Sequence, residues 1–553
     1  MTKIFGLINK EMKNETMQEI LISMFRVFVL ENQKLHYFSD NFIGLGNVSV
    51  EKKSYSITRN KNKDIYILFS GYLVGEDNCA KYILNLYEQK GLSFVRDLNG
   101  IFVFVIYDKK KKEVIIVNDR YGVRPFYYYH QGGKFIFGSE VKAIVKSGEI
   151  KKEINWDAWA DIFNFGYVLG DKTPFKNVWR LPDACILRYK NNNLKINKYW
   201  DYSEIKVDYT KTREQFIEDC VEQLKKTFVK ITKNMKNAQV LLSGGYDSRT
   251  IAAALKYYTE VKFDTYTGNL HASGNDDVKF ARLLTKKLKV KNKQIIEKNN
   301  IYKNYFIDMV YDLDGMSYEH IWTLPVIKKI KVEIPEFDGF ASDLLKGGIT
   351  LYHDKMEQKI DFNKSIVIIK NAIGNIFENA NKIFNKKYLN FDLNQEIKSI
   401  KQELKKIKKT KYKFLLFSMR NRLRNSISVI PNTLITKKTT SYLPFLDNDL
   451  VNIVLKMPPH IKDFKFQNQI IKKSFPKIEN IPSTNDNHKL KLLRTKFAKT
   501  LKKIITKYNL INFFYKVGLP IHKIPRLSFL NKTLALSLKQ EDIEYLIDFL
   551  KKI

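Results

Sequence analysis

The chain has 553 residues and carries 96 Lys and Arg against 58 Asp and Glu, a formal net charge of +38. A single core stops growing near about 250–300 residues, so two or three domains are expected. Hydrophobic residues at 44% and aromatics at 13% exclude a disordered chain. The first 200 or so residues read as strand-rich, because apolar or alternating runs at 65–75, 100–108, 113–119 and 135–139 are separated by charged or glycine turns. One helix fits 80–91, with Gly91 as its cap. The aromatic run 126–129 reads as strand packing, and Asp119 with Arg120 as a turn-stabilising pair.

The pattern then changes. Residues 212–233 form an amphipathic helix, with Phe216, Cys220, Leu224 and Phe228 four apart. A buried strand at 239–242, a glycine turn, a helix through 251–258, a strand at 262–267 and a helix at 277–288 follow. Strands alternating with helices predict a parallel sheet with crossovers. From residue 362 the chain is mostly helical and Lys-rich, and 498–508 fits a surface helix on a basic C-terminal extension. Arg420, Arg422 and Arg424 fit an anion site or a solvated helix face equally well. His271 and His320 lack metal-partner spacing and read as core or surface residues.

Cys79, Cys185 and Cys220 are too scattered for a disulfide framework or a zinc site, which predicts a reducing, cytoplasmic setting. Apolar runs are strand-length, so neither a signal peptide nor a membrane span is expected. Lys outnumbers Arg several-fold, which favours solvated surface charge; a nucleic-acid partner is the less favoured reading.

The sharpest local signal is VLLSGGYDSRT at 240–250. An apolar strand enters Ser243-Gly244-Gly245, and a helix opens at Tyr246 or Asp247. Glycines let the backbone turn sharply near a ligand, and N–H groups at a helix start attract anionic oxygens. Ser243 and Ser248 add hydroxyls. Asp247 makes sense beside an anion when it holds a divalent cation. No Gly-Lys-Ser/Thr follows, so this is not the loop of γ-phosphate hydrolases.

This string resembles the pyrophosphate-binding loop of the ATP pyrophosphatase superfamily, and more of the chain resembles the asparagine synthetase family within it. Residues 263–284, with Asp277 and Ala281, look like the family's second strand and following helix. FDGFASDLLKGG at 337–348, with Gly339, Ser342, Asp343, Gly347 and Gly348, resembles its second phosphate-side loop. Residues 442–462 resemble its Pro-Phe-Leu-Asp segment. Segments 4–8, 98–108, 118–129, 137–144 and 166–182 resemble the glutaminase domain of class II amidotransferases.

The resemblance implies an α+β first domain, an Ntn-hydrolase-like antiparallel sandwich with helices, over 1–205. It implies an α/β domain with a parallel sheet over 206–480, and 481–553 is a basic helical extension. It also implies ATP on Leu242, Ser243, Gly244, Gly245, Asp247, Ser248, Thr267, Asp338 and Gly339, with Mg2+ on Asp247 and Asp343. Asp247 and Asp343 would act in catalysis, together with a lysine placed at Lys489, or at Lys491. The reaction implied is adenylation of a small-molecule or peptide carboxylate, captured by ammonia or a substrate amine. A homodimer is compatible with this reading.

The departures narrow it. The family's nucleophilic Cys is Thr2 here, followed by Lys3 in place of Gly, and its Asn-Gly is Ser70-Gly71. The Asp that grips glutamine is replaced near Cys79. Leu344 stands for a Glu, and Thr440 and Tyr442 for a Glu and an Arg. A glutaminase site lacking oxyanion donor and clamp is expected to be inactive. Lasso-peptide cyclases are the nearest precedent, while a tRNA-modifying adenylating enzyme and a silent nucleotide-binding relic are the competing readings.

Overall fold

The computed structural model describes residues 2–9, 12–28, 33–49, 57–269, 276–297, 301–345, 361–373, 395–408, 410–463 and 465–484. The helix expected at 498–508 lies outside the described residues, as does all but the start of the 481–553 segment.

Among the described residues the first domain holds twelve strands: β1 (Thr2–Ile8), β2 (Lys34–Ser39), β3 (Gly44–Ser49), β4 (Thr58–Arg59), β5 (Ile65–Leu73), β6 (Gly100–Asp108), β7 (Glu113–Asn118), β8 (Tyr127–Gln131), β9 (Lys134–Gly138), β10 (Val178–Arg180), β11 (Cys185–Lys190) and β12 (Asn193–Lys198). They form two antiparallel sheets, ordered β10-β8-β9-β1-β3-β2 and β12-β11-β7-β6-β5-β4. Side chains alternate across a strand. In β6 this sends Val103, Val105 and Tyr107 into the core between the sheets. Phe102, Phe104 and Ile106 point outward against Ile83, Leu84 and Tyr87 of the helix Cys79–Lys90. Both faces are buried, which is why the strand is apolar throughout. The helix Asn14–Phe25 covers the other sheet through Met17, Leu21 and Met24. The expected sandwich flanked by helices is therefore present.

The second domain opens with the helix Arg213–Thr232, whose start is fixed by a capping box of Thr212 and Gln215. Its strands among the described residues are β13 (Asn237–Leu241), β14 (Lys262–Asn269), β15 (Lys291–Ile296), β16 (Glu336–Phe337) and β17 (Ser441–Tyr442). All pair in parallel, in the order β15-β14-β13-β16-β17. The chain steps from β13 through β14 to β15, then returns to the other side of β13. That reversal between β13 and β16 is a topological switch point, where a crevice opens beyond the carboxyl ends of the strands.

Helical segments follow at Phe362–Ile373, Gln395–Lys405 and Lys413–Ser418, and the last runs into wide π-turns at Met419–Ile427 and Ile430–Leu434. This stretch corrects the sequence reading of two arginines. Arg420 and Arg424 are 7% and 2% exposed and belong to the seam between the domains, not to a solvated helix face. Arg424 donates to Asp171 Oδ1 (2.6 Å) and the Leu181 carbonyl (2.6 Å), and Arg420 pairs with Asp201 (2.8 Å). Arg422 lies 3.6 Å from Glu319. The Asp119–Arg120 pair is also corrected. Asp119 stabilises its turn by accepting from the N–H groups of Tyr121, Val123 and Arg124. Arg120 instead lies over the Trp200 ring at 4.7 Å.

Candidate active site

β13 delivers the chain to the crevice. Leu242, 2% exposed, donates its N–H to the Tyr266 carbonyl (2.8 Å), which brings it beside Thr267 at the end of β14. Thr267 is buried, and its hydroxyl donates to Asn292 Oδ1 (3.1 Å). The 243–248 loop then turns into the helix Tyr246–Tyr258, with Gly245 at the N-cap. The Ser248 hydroxyl accepts from the Ser243 N–H (2.9 Å), and the two serine oxygens are 3.1 Å apart. Gly244 donates its N–H to Asp277 Oδ1 (2.9 Å), and Gly245 donates to Ser243 Oγ (3.3 Å). A Cβ on Gly244 would lie 2.9 Å from both the Asp277 Cα and Thr484 Cγ2, so only glycine fits this approach.

The opposite wall is the loop after β16. Gly339 packs on Asp247: a Cβ there would stand 2.9 Å from the Asp247 Cβ and 3.0 Å from the Ser248 nitrogen. Asp338 donates its N–H to the Tyr442 carbonyl (3.0 Å) and accepts from the Phe340 N–H (2.8 Å). Burial, with the Asp247 charge added, pushes the Asp338 carboxyl up to about 6. Glu336, at the start of β16, is fully buried and raised well above the carboxylate range by burial and by Asp338. Gln467, from the helix Phe466–Ser474, donates its amide to Asp247 Oδ1 (3.1 Å).

Asp338 lies close enough to Asp247 to feel its charge, and carboxylate oxygens of this kind suit a divalent cation such as Mg2+, which takes one or two carboxylates and completes its shell with phosphate and water. Among the described residues no three His, Cys, Asp or Glu side chains come together as a metal site. The backbone of Asp343 lies in the short turn Ser342–Leu344, and its side chain is outside the description. Lys489 and Lys491 lie outside the described residues, as does His271. His320 is held 4.0 Å from Glu319, and burial lowers its pKa.

Sequence reasoning missed three participants. Gln467 lies 220 residues from Asp247, and no local pattern links them. Arg249, 2% exposed, donates to the Ile481 and Pro482 carbonyls and so straps the following segment against the loop. Thr484 continues this strap by donating its N–H to the Gly244 carbonyl (3.1 Å).

In the first domain, Thr2 begins β1 beside Ser70 in β5. The Ser70 hydroxyl donates to the Thr2 carbonyl. Arg124 donates to Ser70 Oγ (2.7 Å), to the Thr2 carbonyl (3.4 Å) and to the Asn432 carbonyl of the second domain (3.4 Å). Gly71 has φ +123°, and a Cβ there would lie 2.0 Å from the Ile101 carbonyl. Lys3 pairs with Glu140 (2.8 Å), which also binds Lys142. Burial brings the Lys3 ammonium down to about 8.

An antiparallel sandwich is thus joined to a parallel sheet with a glycine turn at its switch point. A glutamine amidotransferase domain is matched over residues 76–200 and asparagine synthase over 221–503, just over half of the chain. The chain belongs to the asparagine synthase family. It is 32% identical over 245 residues to a putative glutamine-hydrolyzing asparagine synthetase 2 of Methanocaldococcus jannaschii, covering 40% of this chain and 46% of that one. Asparagine synthetase 2 of Bacillus subtilis is 28% identical, over 39% of this chain and 30% of that protein. The amidase chry2 of Gibberella zeae is 26% identical, over 42% and 37%. The matches thus span less than half the length of each of these relatives. Among the described residues no helix is long and apolar enough to cross a membrane.

Proposed function

We propose that the protein is an ATP-dependent amide ligase that adenylates a carboxylate, releases pyrophosphate, and passes the acyl group to ammonia or to an amine of the substrate. The observation that carries this reading is the 243–248 loop at the switch point, with Asp338 and Gly339 packed against Asp247. Adenine would sit near Leu242 and Thr267, beside that loop. The amide of Gly245 now donates to Ser243 Oγ, an acceptor that a phosphate oxygen would replace, while Asp277 keeps the Gly244 amide. Asp247 and Asp343 would hold Mg2+, which when bound neutralises the pyrophosphate charge. Gln467 orients Asp247, and Asp277 and Gly339 fix the two loops. The protein's share of the catalysis is then placement and electrostatics.

Glutamine is not the amine source on this reading. Thr2 is a weak substitute for a thiol, and the Ser70 hydroxyl and Arg124 guanidinium already occupy the polar groups around it. Lys3, which stands where a glycine is expected, is committed to Glu140.

The test is pyrophosphate release from Mg-ATP with aspartate, peptide acids and sugar acids, each with ammonium or glutamine. Release with one acid and ammonium, lost in Asp247→Ala, is expected. Equal use of glutamine would refute the inactive glutaminase. Tight ATP binding with no release for any acid would refute the ligase reading.

A further inference from the structure

We propose that the first domain positions the ligand loop of the second, through Tyr72 and Asn99. β17 is two residues long and lies at the sheet edge. So short a strand cannot fix its own place. Yet it sets the crevice wall: the Tyr442 carbonyl accepts from the Asp338 N–H (3.0 Å), and the Thr440 carbonyl accepts from the Glu336 N–H (2.9 Å).

β17 is held on one side by its pairing with β16 and by the Ser441 hydroxyl, which donates to Glu336 Oε2 (2.5 Å), and on the other side by the first domain. The Tyr72 hydroxyl accepts from the Leu443 N–H at 2.8 Å, and its ring stands 4.5 Å from that of Tyr442. The Tyr442 ring in turn stacks on Phe337 of β16 at 5.2 Å. Tyr72 is 5% exposed, so the contact is shielded from water. Five residues on, Asn99 grips the same segment. Its Oδ1 accepts from the Asn448 N–H (3.0 Å), and its Nδ2 donates to Asp447 Oδ2 (2.8 Å). The Asn448 amide donates to the Leu98 carbonyl (2.9 Å). The segment that ends the sheet is thus pinned at both ends by one edge of the first domain. Tyr72 lies two residues beyond Ser70 on β5, so the strand that closes around Thr2 also carries the clamp. A domain without hydrolytic work keeps a reason to stay folded and docked.

The proposal rests on the ligase reading only for what the loop holds. Tyr72→Phe keeps the ring and removes the acceptor, leaving a buried N–H unpaired. Amide exchange over residues 338–345 is expected to rise about tenfold, and Mg-ATP affinity to fall about tenfold. Asn99→Ala should act in the same direction. Tyr87→Phe is the control, because it removes a hydroxyl bond to Asp108 (3.1 Å) within the first domain. Exchange at 338–345 should stay at the wild-type value in Tyr87→Phe, and exchange in β9 should stay there in all three. Unchanged exchange at 338–345 in both Tyr72→Phe and Asn99→Ala would overturn the proposal. So would an equal rise throughout the protein, which signals a merely structural role. Faster exchange at 338–345, in a protein whose wild type binds no ATP, would sustain the positioning and sink the ligase reading instead.

Discussion

Asp338→Asn asks whether the acidic wall of the crevice is strained in the absence of ligand. The carboxyl is pushed from 3.8 up to about 6, by burial first and by Asp247 second. A shift of about 2 units corresponds to roughly 3 kcal/mol. The side chain keeps partial contact with the crevice, so screening brings the expected cost to about 1–2 kcal/mol. Below the unfolded value the group is neutral in both states and costs nothing. Between 3.8 and about 6 the folded chain holds the proton longer than the unfolded chain, so stability falls as pH rises. Above about 6 the full penalty applies. Urea unfolding should therefore find Asp338→Asn equal to wild type near pH 4 and about 1–2 kcal/mol more stable at pH 7.5. Mg2+ with ATP should close the gap by stabilising the wild type. A gain independent of pH, or a variant less stable than wild type at pH 7.5, would refute the reasoning.

Gly339→Ala should cut pyrophosphate release more than tenfold while the fold survives by circular dichroism, because the new methyl would drive against Asp247 and the Ser248 nitrogen. Gln467→Glu sets a second carboxylate beside Asp247 and should weaken Mg-ATP binding about tenfold in calorimetry. Burial alone would raise the Glu140 carboxyl, but Lys142 and Lys3 bring it to about 2. Its contribution to stability is present above about 4.5 and lost as pH falls to about 2. Glu140→Gln should therefore be a few kcal/mol less stable than wild type at pH 7, with the difference shrinking in urea titrations below pH 4. Thr2→Cys alone should release no glutamate from glutamine in a coupled assay, since Ser70 and Arg124 still occupy the Thr2 carbonyl.

Local chemistry was legible where one element carries its own signal. The apolar run of β6 predicts a strand buried on both faces, and the period of Phe216, Cys220, Leu224 and Phe228 predicts the helix beneath the parallel sheet. The 243–248 loop was readable because its glycines, serines and aspartate act within six residues. Contacts between distant segments were not. Gln467 reads as one polar residue on an amphipathic helix, and only the fold turns it toward Asp247. Arg420 and Arg424 look like surface charge, because a charged face and a buried seam have the same local sequence. Their carboxylate partners lie more than 200 residues away. The π-turns escape a search tuned to a period of 3.6 for a similar reason.

Many buried polar groups lie at contacts between the domains, which bears on why both domains persist. Arg124 bonds Ser70 and Thr2 on one side and Asn432 on the other. The Tyr442 ring meets Tyr72 of the first domain and Phe337. Arg180 reaches Asn425, and Asp314 of the second domain accepts from the N–H groups of Val141 and Lys142. Arg124, Arg180 and Asp314 are thus engaged in the seam. A buried polar seam of this kind is costly to separate, because each donor left unpaired loses about 1–3 kcal/mol. On the proposed reading, the first domain has exchanged its own chemistry for a fixed grip on the second. Restoring a nucleophile at Thr2 would have to break that grip before it could restore hydrolysis.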